Sequence, residues 1–148
     1  MAKYERILVA IDITNESLQV VEAAAEIAPP NAQVHVLHAI EPIGSGYGST
    51  MLPDLHAHEM ARLQEHAAAH LARLGKTYGV PQARQHVVHG RAITAIHRFA
   101  EDNACDLVVV GSHGRHGLGL LLGSTANGVL HGANCNVLAV RVREPDGS

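Results

Sequence analysis

Short, wholly apolar runs alternate along the chain with longer stretches in which apolar residues recur every three or four positions. The first run fills a strand over Arg6–Ile11, and its unbroken β-branched character is that of a strand covered on both faces. Asp12 ends it. A helix is expected from about Glu16 to Ala28, capped by Thr14 or Asn15, with Leu18, Val21, Ala25 and Ala28 as its buried stripe. Pro29 and Pro30 stop it. Gln33–Ile40 alternates as a second strand, with Val34, Val36 and His38 on one face and His35, Leu37 and Ala39 on the other. A loop rich in Gly and Ser (Glu41–Leu52) leads into a long helix from Pro53 to about Tyr78. Its stripe is Leu55, Met60, Leu63, Ala67, Leu71 and Leu74. A weaker third strand, Ala83–His89, precedes a helix over Ala92–Asn103 with Ile93, Ile96, Phe99 and Ala100 inward. The fourth strand is Leu107–Val110. A glycine-rich loop, Gly111–Gly123, then opens a short helix over Ser124–Ala133, and Val137–Val142 is the last strand.

Strands that alternate with helices imply a parallel, doubly wound α/β sheet with helices on both faces, and the 148 residues suit one domain over 1–148. Ligands bind such sheets at the carboxyl ends of the strands, where the strand order reverses. Five strands allow two common orders. In 3-2-1-4-5 the crevice lies between strands 1 and 4, and in 2-1-3-4-5 between strands 1 and 3. The segment after strand 4 is far richer in glycine than Gly90-Arg91 after strand 3, which favours the first order.

Composition narrows the function. The formal charge of −3 and the low aromatic content, 3%, argue against a nucleic-acid binder, which shows a basic face and stacking rings. No apolar stretch reaches the ~18 residues of a membrane span, and the start lacks the apolar core of a signal peptide, so a cytoplasmic protein is expected. Cys105 and Cys135 are too few for a disulfide scaffold and read as partly buried thiols at the starts of strands 4 and 5.

The 12 histidines outnumber the 11 Lys and Arg, and full protonation would carry the charge from −3 to +9. His66 and His70 stand one helical turn apart, a spacing that can grip a metal. His56 and His58 lie too far along the same helix to join them, and His35 and His38 point to opposite faces. Solvated histidines on a helix face are therefore expected rather than a metal site. His113 and His116 share the glycine loop, and their protonation there would favour an anion.

Gly111, Gly114, Gly117, Gly119 and Gly123 allow backbone to approach a ligand closely, and Gly123-Ser124-Thr125 opens a helix whose free N–H groups suit a phosphate. Asp12, across the crevice, can accept hydrogen bonds from a ribose or an adenine amino group. The segment is neither a P-loop, having no Lys, nor a GxGxxG fingerprint after the first strand. Nothing is spaced as a hydrolytic triad.

The runs ILVAID (Ile7–Asp12), VLHAIEP (Val36–Pro42), CDLVVVGSHGRHGL (Cys105–Leu118) and LLGSTANGVLHGANCNVLAVR (Leu121–Arg141) resemble the universal stress protein (UspA) family over essentially the whole chain, in particular its small single-domain bacterial members. The resemblance implies the order 3-2-1-4-5 and a stress-response regulator that binds an adenine nucleotide. It implies at most slow ATP hydrolysis, so an enzyme is not expected. ATP or AMP is the implied ligand, with magnesium only alongside bound ATP. Nucleotide-binding members carry Gly, two residues, Gly, nine residues and Gly-Ser or Gly-Thr; here Arg115–Leu122 is eight residues, one fewer. Residue by residue, the resemblance puts Asp12 at the adenosine, the backbone of Ala10 and Ala39 beside the base, and Gly111 at the ribose. It puts Gly114, Gly123, Ser124 and Thr125 around the phosphates, with Arg115 adding charge. A nucleotide-free interaction protein of the same family is the alternative. The family also implies a homodimer paired through the last strand, Val137–Val142. Its apolar edge would otherwise stand open. Asn136 stands where many members have Pro.

Overall fold

The computed structural model describes residues 4–41, 53–113 and 124–143. Its elements are β1 (Arg6–Ala10), α1 (Ser17–Ile27), β2 (Gln33–Ile40), α2 (Pro53–Tyr78), β3 (Gln85–His89, after a 3₁₀ turn at Gln82–Arg84), α3 (Ala92–Asp102), β4 (Leu107–His113), α4 (Ser124–Gly132) and β5 (Asn136–Val142). The five strands are parallel and run in the order β3-β2-β1-β4-β5. This is the α/β, doubly wound arrangement expected from the alternation of elements.

The central strand explains why the sheet needs two coats. Ile7 and Val9 of β1 pack with Val20, Val21 and Ala24 of α1 and Leu71 and Leu74 of α2. Leu8 and Ala10 point the other way, onto Ile96 of α3 and Ala126 and Val129 of α4. Ile7, Leu8 and Val9 are fully buried, so neither face of β1 meets water, as a continuous β-branched run requires. Asp106 ties the start of β1 to β4: its carboxylate accepts the N–H groups of Glu5 (2.8 Å) and Arg6 (3.1 Å).

Four readings of the sequence need correction. The buried face of α1 is Ser17, Val20, Val21 and Ala24, whereas Leu18 is 41% exposed and Ala25 faces solvent. The Ala-rich helix fits two phases of the helical period nearly equally, and burial of Ser17 against another element selects the second. No side chain caps α1; the N–H of Ser17 instead donates to the Thr14 carbonyl (3.2 Å). Along α2 the stripe is fully buried only from Ala67 onward, and Leu55 is 57% exposed. Finally, β4 runs on through Gly111, Ser112 and His113, because β5 offers Val140, Arg141 and Val142 as ladder partners. The remaining boundaries fall within two residues of those expected.

Candidate functional site

β1 and β4 are neighbours, yet their chains leave in opposite directions: β1 feeds α1 on one face and β4 leads toward α4 on the other. Parting chains leave a crevice at the carboxyl ends of the two strands. A cleft of about 380 Å³ lies there. Ala10, Asp12, Ala39, Gly111, Ser124 and Thr125 all line it, so six of the sequence-derived candidates meet in one place. Gly114, Arg115, His116 and Gly123 lie outside the described residues, as do the other positions from 114 to 123.

Each wall has its own local cause. The floor is strand: Ala10 and Ala39 offer small side chains, and Gly111 offers none. One side wall is the segment that joins β1 to α1. Its Ile11 N–H donates to the Leu37 carbonyl (3.0 Å), and Asp12, Thr14 and Glu16 lead on into the cleft. The opposite wall is the first turn of α4, where Ser124 and Thr125 bring two hydroxyls beside the N–H groups that a helix leaves free at its start. The start of α3 is closed from β2, since the Glu41 carboxylate accepts the Ala92 N–H (3.0 Å). Acidic side chains on one side, donors on the other and small residues between suit a ligand with a polar planar head and an anionic tail.

Sequence reasoning missed the residues that brace the first wall, of which His38 and Ser17 line the cleft themselves. His38 of β2 lies 2.8 Å through Nδ1 from the Ile11 carbonyl, to which it donates. His70 of α2 is buried, not solvated as expected, and its Nε2 lies 2.8 Å from the Ser17 hydroxyl. Ser17 in turn donates to the Thr14 carbonyl (2.6 Å). With its one proton committed there, the Ser17 oxygen accepts from His70 Nε2–H. That polarity is the reverse of a nucleophilic serine activated by a histidine base. Burial, and then the Arg73 guanidinium, hold the His70 imidazole below its ordinary pKa. The i,i+4 spacing of His66 and His70 was the only sequence signal near this pair, and it suggested a metal. Among the described residues no three His, Cys, Asp or Glu side chains gather as a metal site would need.

A second histidine pair sits away from the cleft. His35 Nδ1 and His86 Nε2 are 3.0 Å apart, their rings stack at 5.2 Å, and Phe99 lies against both. Burial lowers the pKa of each, and for His35 the neighbouring His86, Arg84 and Arg6 add to the effect. Cys105 is buried and Cys135 half-buried, both as free thiols; burial, with Cys135 nearby, pushes Cys105 up to about 11. Among the described residues no helix is long and apolar enough to cross a membrane.

Residues 3–141 match the model of the universal stress protein family. Universal stress protein A homolog 1 of Coxiella burnetii is 40% identical over 142 residues, which are 95% of this chain and 99% of that protein. Among solved structures, universal stress protein UspA from Lactobacillus plantarum superposes with a TM-score of 0.79 at 23% identity, covering 95% of this chain and all of the other. A universal stress protein in complex with cAMP matches at 0.67 and 25% identity, covering 95% and 98% of the two chains. The family model over residues 3–141 and 40% identity over nearly the full length lead to one conclusion: the chain belongs to the universal stress protein family.

Proposed function

We propose that this protein is a stress-response regulator that binds an adenine nucleotide (ATP, ADP or AMP, with magnesium only alongside ATP) in the cleft between β1 and β4. The observation that carries the reading is the meeting of Asp12, Ala10, Ala39, Gly111, Ser124 and Thr125 around that cleft. In this reading Asp12 accepts hydrogen bonds from the adenosine portion, and the small side chains of Ala10 and Ala39 leave room for a flat ring. Gly111 lies by the ribose, and Ser124 and Thr125 take the phosphate with Gly114, Arg115 and Gly123. The related protein solved with cAMP supports the choice of adenine. Two free thiols suit a cytoplasmic location.

Calorimetric titration of AMP and ATP tests this. Asp12→Ala removes a charged acceptor, worth about 1.5–3 kcal/mol, and is expected to weaken binding roughly tenfold or more. Absence of heat with the unaltered protein, at millimolar nucleotide, would overturn the reading in favour of an interaction protein without nucleotide.

A homodimer paired antiparallel through β5 completes the proposal. β5 is an edge of the sheet, and Val137, Leu138, Ala139 and Val140 are only half-buried. An apolar open edge is a liability that a second copy covers. Leu138→Lys should convert a dimer to a monomer in sedimentation equilibrium; a monomeric unaltered protein sinks this part.

A further inference from the structure

The cleft wall that carries Asp12 is braced by two imidazoles, His38, which itself lines the cleft, and His70, which does not. His38 grips its first carbonyl, Ile11, and His70 grips its last side chain, Ser17. Between them the Ser17 hydroxyl and N–H both turn back to the Thr14 carbonyl, closing the loop on itself. The loop thus has an anchor at either end, and only one of them is a buried titratable group.

The hydrogen-bond directions define the state of that group. Ser17 has spent its proton on Thr14, so His70 Nε2 must donate. His70 Nδ1 then carries the lone pair, and the Arg73 guanidinium faces it at 3.4 Å. A proton added at Nδ1 would confront that guanidinium directly. Its other neighbours offer no compensation. His66 shares its helix, His38 faces it from β2, and α1 contributes only the Ser17 hydroxyl. Among the described residues no carboxylate acts on it: burial, Arg73, His66 and His38 do, while Asp12 and Glu16 line the cleft and Glu22 bonds Tyr78. A buried imidazolium beside a guanidinium is unfavourable, so this position favours the neutral ring and works against the protonated one.

We propose that His70 is a positioning residue of the cleft: its neutral ring holds the segment from Ile11 to Ser17 in the ligand-accepting shape, and its protonation loosens that segment and releases nucleotide in acid. The proposal rests on the nucleotide reading above. Histidines in the glycine loop would act with the opposite sign, so the decisive quantity is the difference between the unaltered protein and a variant at position 70.

The probe is cAMP, whose phosphodiester keeps a single charge across the range used. In His70→Gln the amide N–H still donates to Ser17 but does not titrate. At pH 7.5 its affinity should be within about threefold of the unaltered protein. Below the His70 midpoint the unaltered protein should lose up to about tenfold per pH unit relative to the variant. Ser17→Ala cuts the same link and should weaken binding at pH 7.5 while matching the flattened profile of His70→Gln. Parallel pH profiles for all three proteins would overturn the proposal. Ligand-free protein gives an independent arm: the amide resonances of residues 14–17 should titrate with the His70 ring and stop doing so in His70→Gln. Should cAMP and other nucleotides fail to bind at any pH, the functional reading falls, and this resonance experiment alone decides the role of His70. Amides indifferent to the ring then overturn it.

Discussion

The two faces of the sheet solve one packing problem by different means. On the face covered by α1 and α2, large aliphatic side chains meet: Leu71 and Leu74 descend onto Ile7, Val9 and Val36. On the face covered by α3 and α4, the helices approach by leaving side chains out. A Cβ on Gly128 would strike Ile93 of α3, and one on Gly132 would strike the His97 ring. The buried histidine contacts differ in the same way. Ser17, which bonds His70, lines the cleft, whereas His35–His86 packs on Phe99 and lines no part of it. One face therefore couples a titratable group to the site, and the other couples one only to the fold.

That contrast can be broken by mutation. The largest effect is expected from Leu71→Ala on the aliphatic face, where a nearly inaccessible side chain (1% exposed) would leave a cavity costing about 3 kcal/mol in urea denaturation. Gly128→Val attacks the other face by overfilling it. About 2 kcal/mol is expected, since the flexible end of Ile93 can yield in part. If Gly128→Val were neutral, the close α3–α4 approach would not be a constraint. The smallest effect concerns pH. His35 and His86 both have folded-state pKa values below the ordinary 6.5, so the unfolded chain binds more protons in acid. Stability is whole above pH 6.5 and drains as pH falls through the folded values. Replacing His35 with Phe and His86 with Leu should reduce the drop in denaturation midpoint between pH 7.5 and 5. An equal drop in both proteins would place the acid sensitivity elsewhere.

Most of the architecture was legible because it rests on local signals. Continuous apolar runs, proline stops and glycine punctuation are read within a dozen residues, and the doubly wound topology is set by their order. The placement of the candidate cleft was legible to the same depth: topology alone predicts that the segments leaving β1 and β4 will meet, and Asp12, Gly111, Ser124 and Thr125 line one cleft. The features that escaped depend on partners distant in sequence. Ser17 and His70 are 53 positions apart and His35 and His86 are 51, and a lone histidine carries no mark of its partner. The end of β4 escaped for a related reason. Gly111, Ser112 and His113 are poor strand formers, and they extend because β5 is there to pair with them. The phase of α1 escaped because alanine is indifferent to which side it buries.

The ladder between β4 and β5 also bears on how the chain tolerates insertions and deletions. Along β5, Leu138 and Val140 face one cluster while Val137 and Ala139 face the other. A strand thus counts in twos: removing one residue inside it would exchange every later side chain between two differently built faces. A loop outside the ladder keeps no such parity. Insertions and deletions are therefore expected between the elements rather than inside β4 or β5.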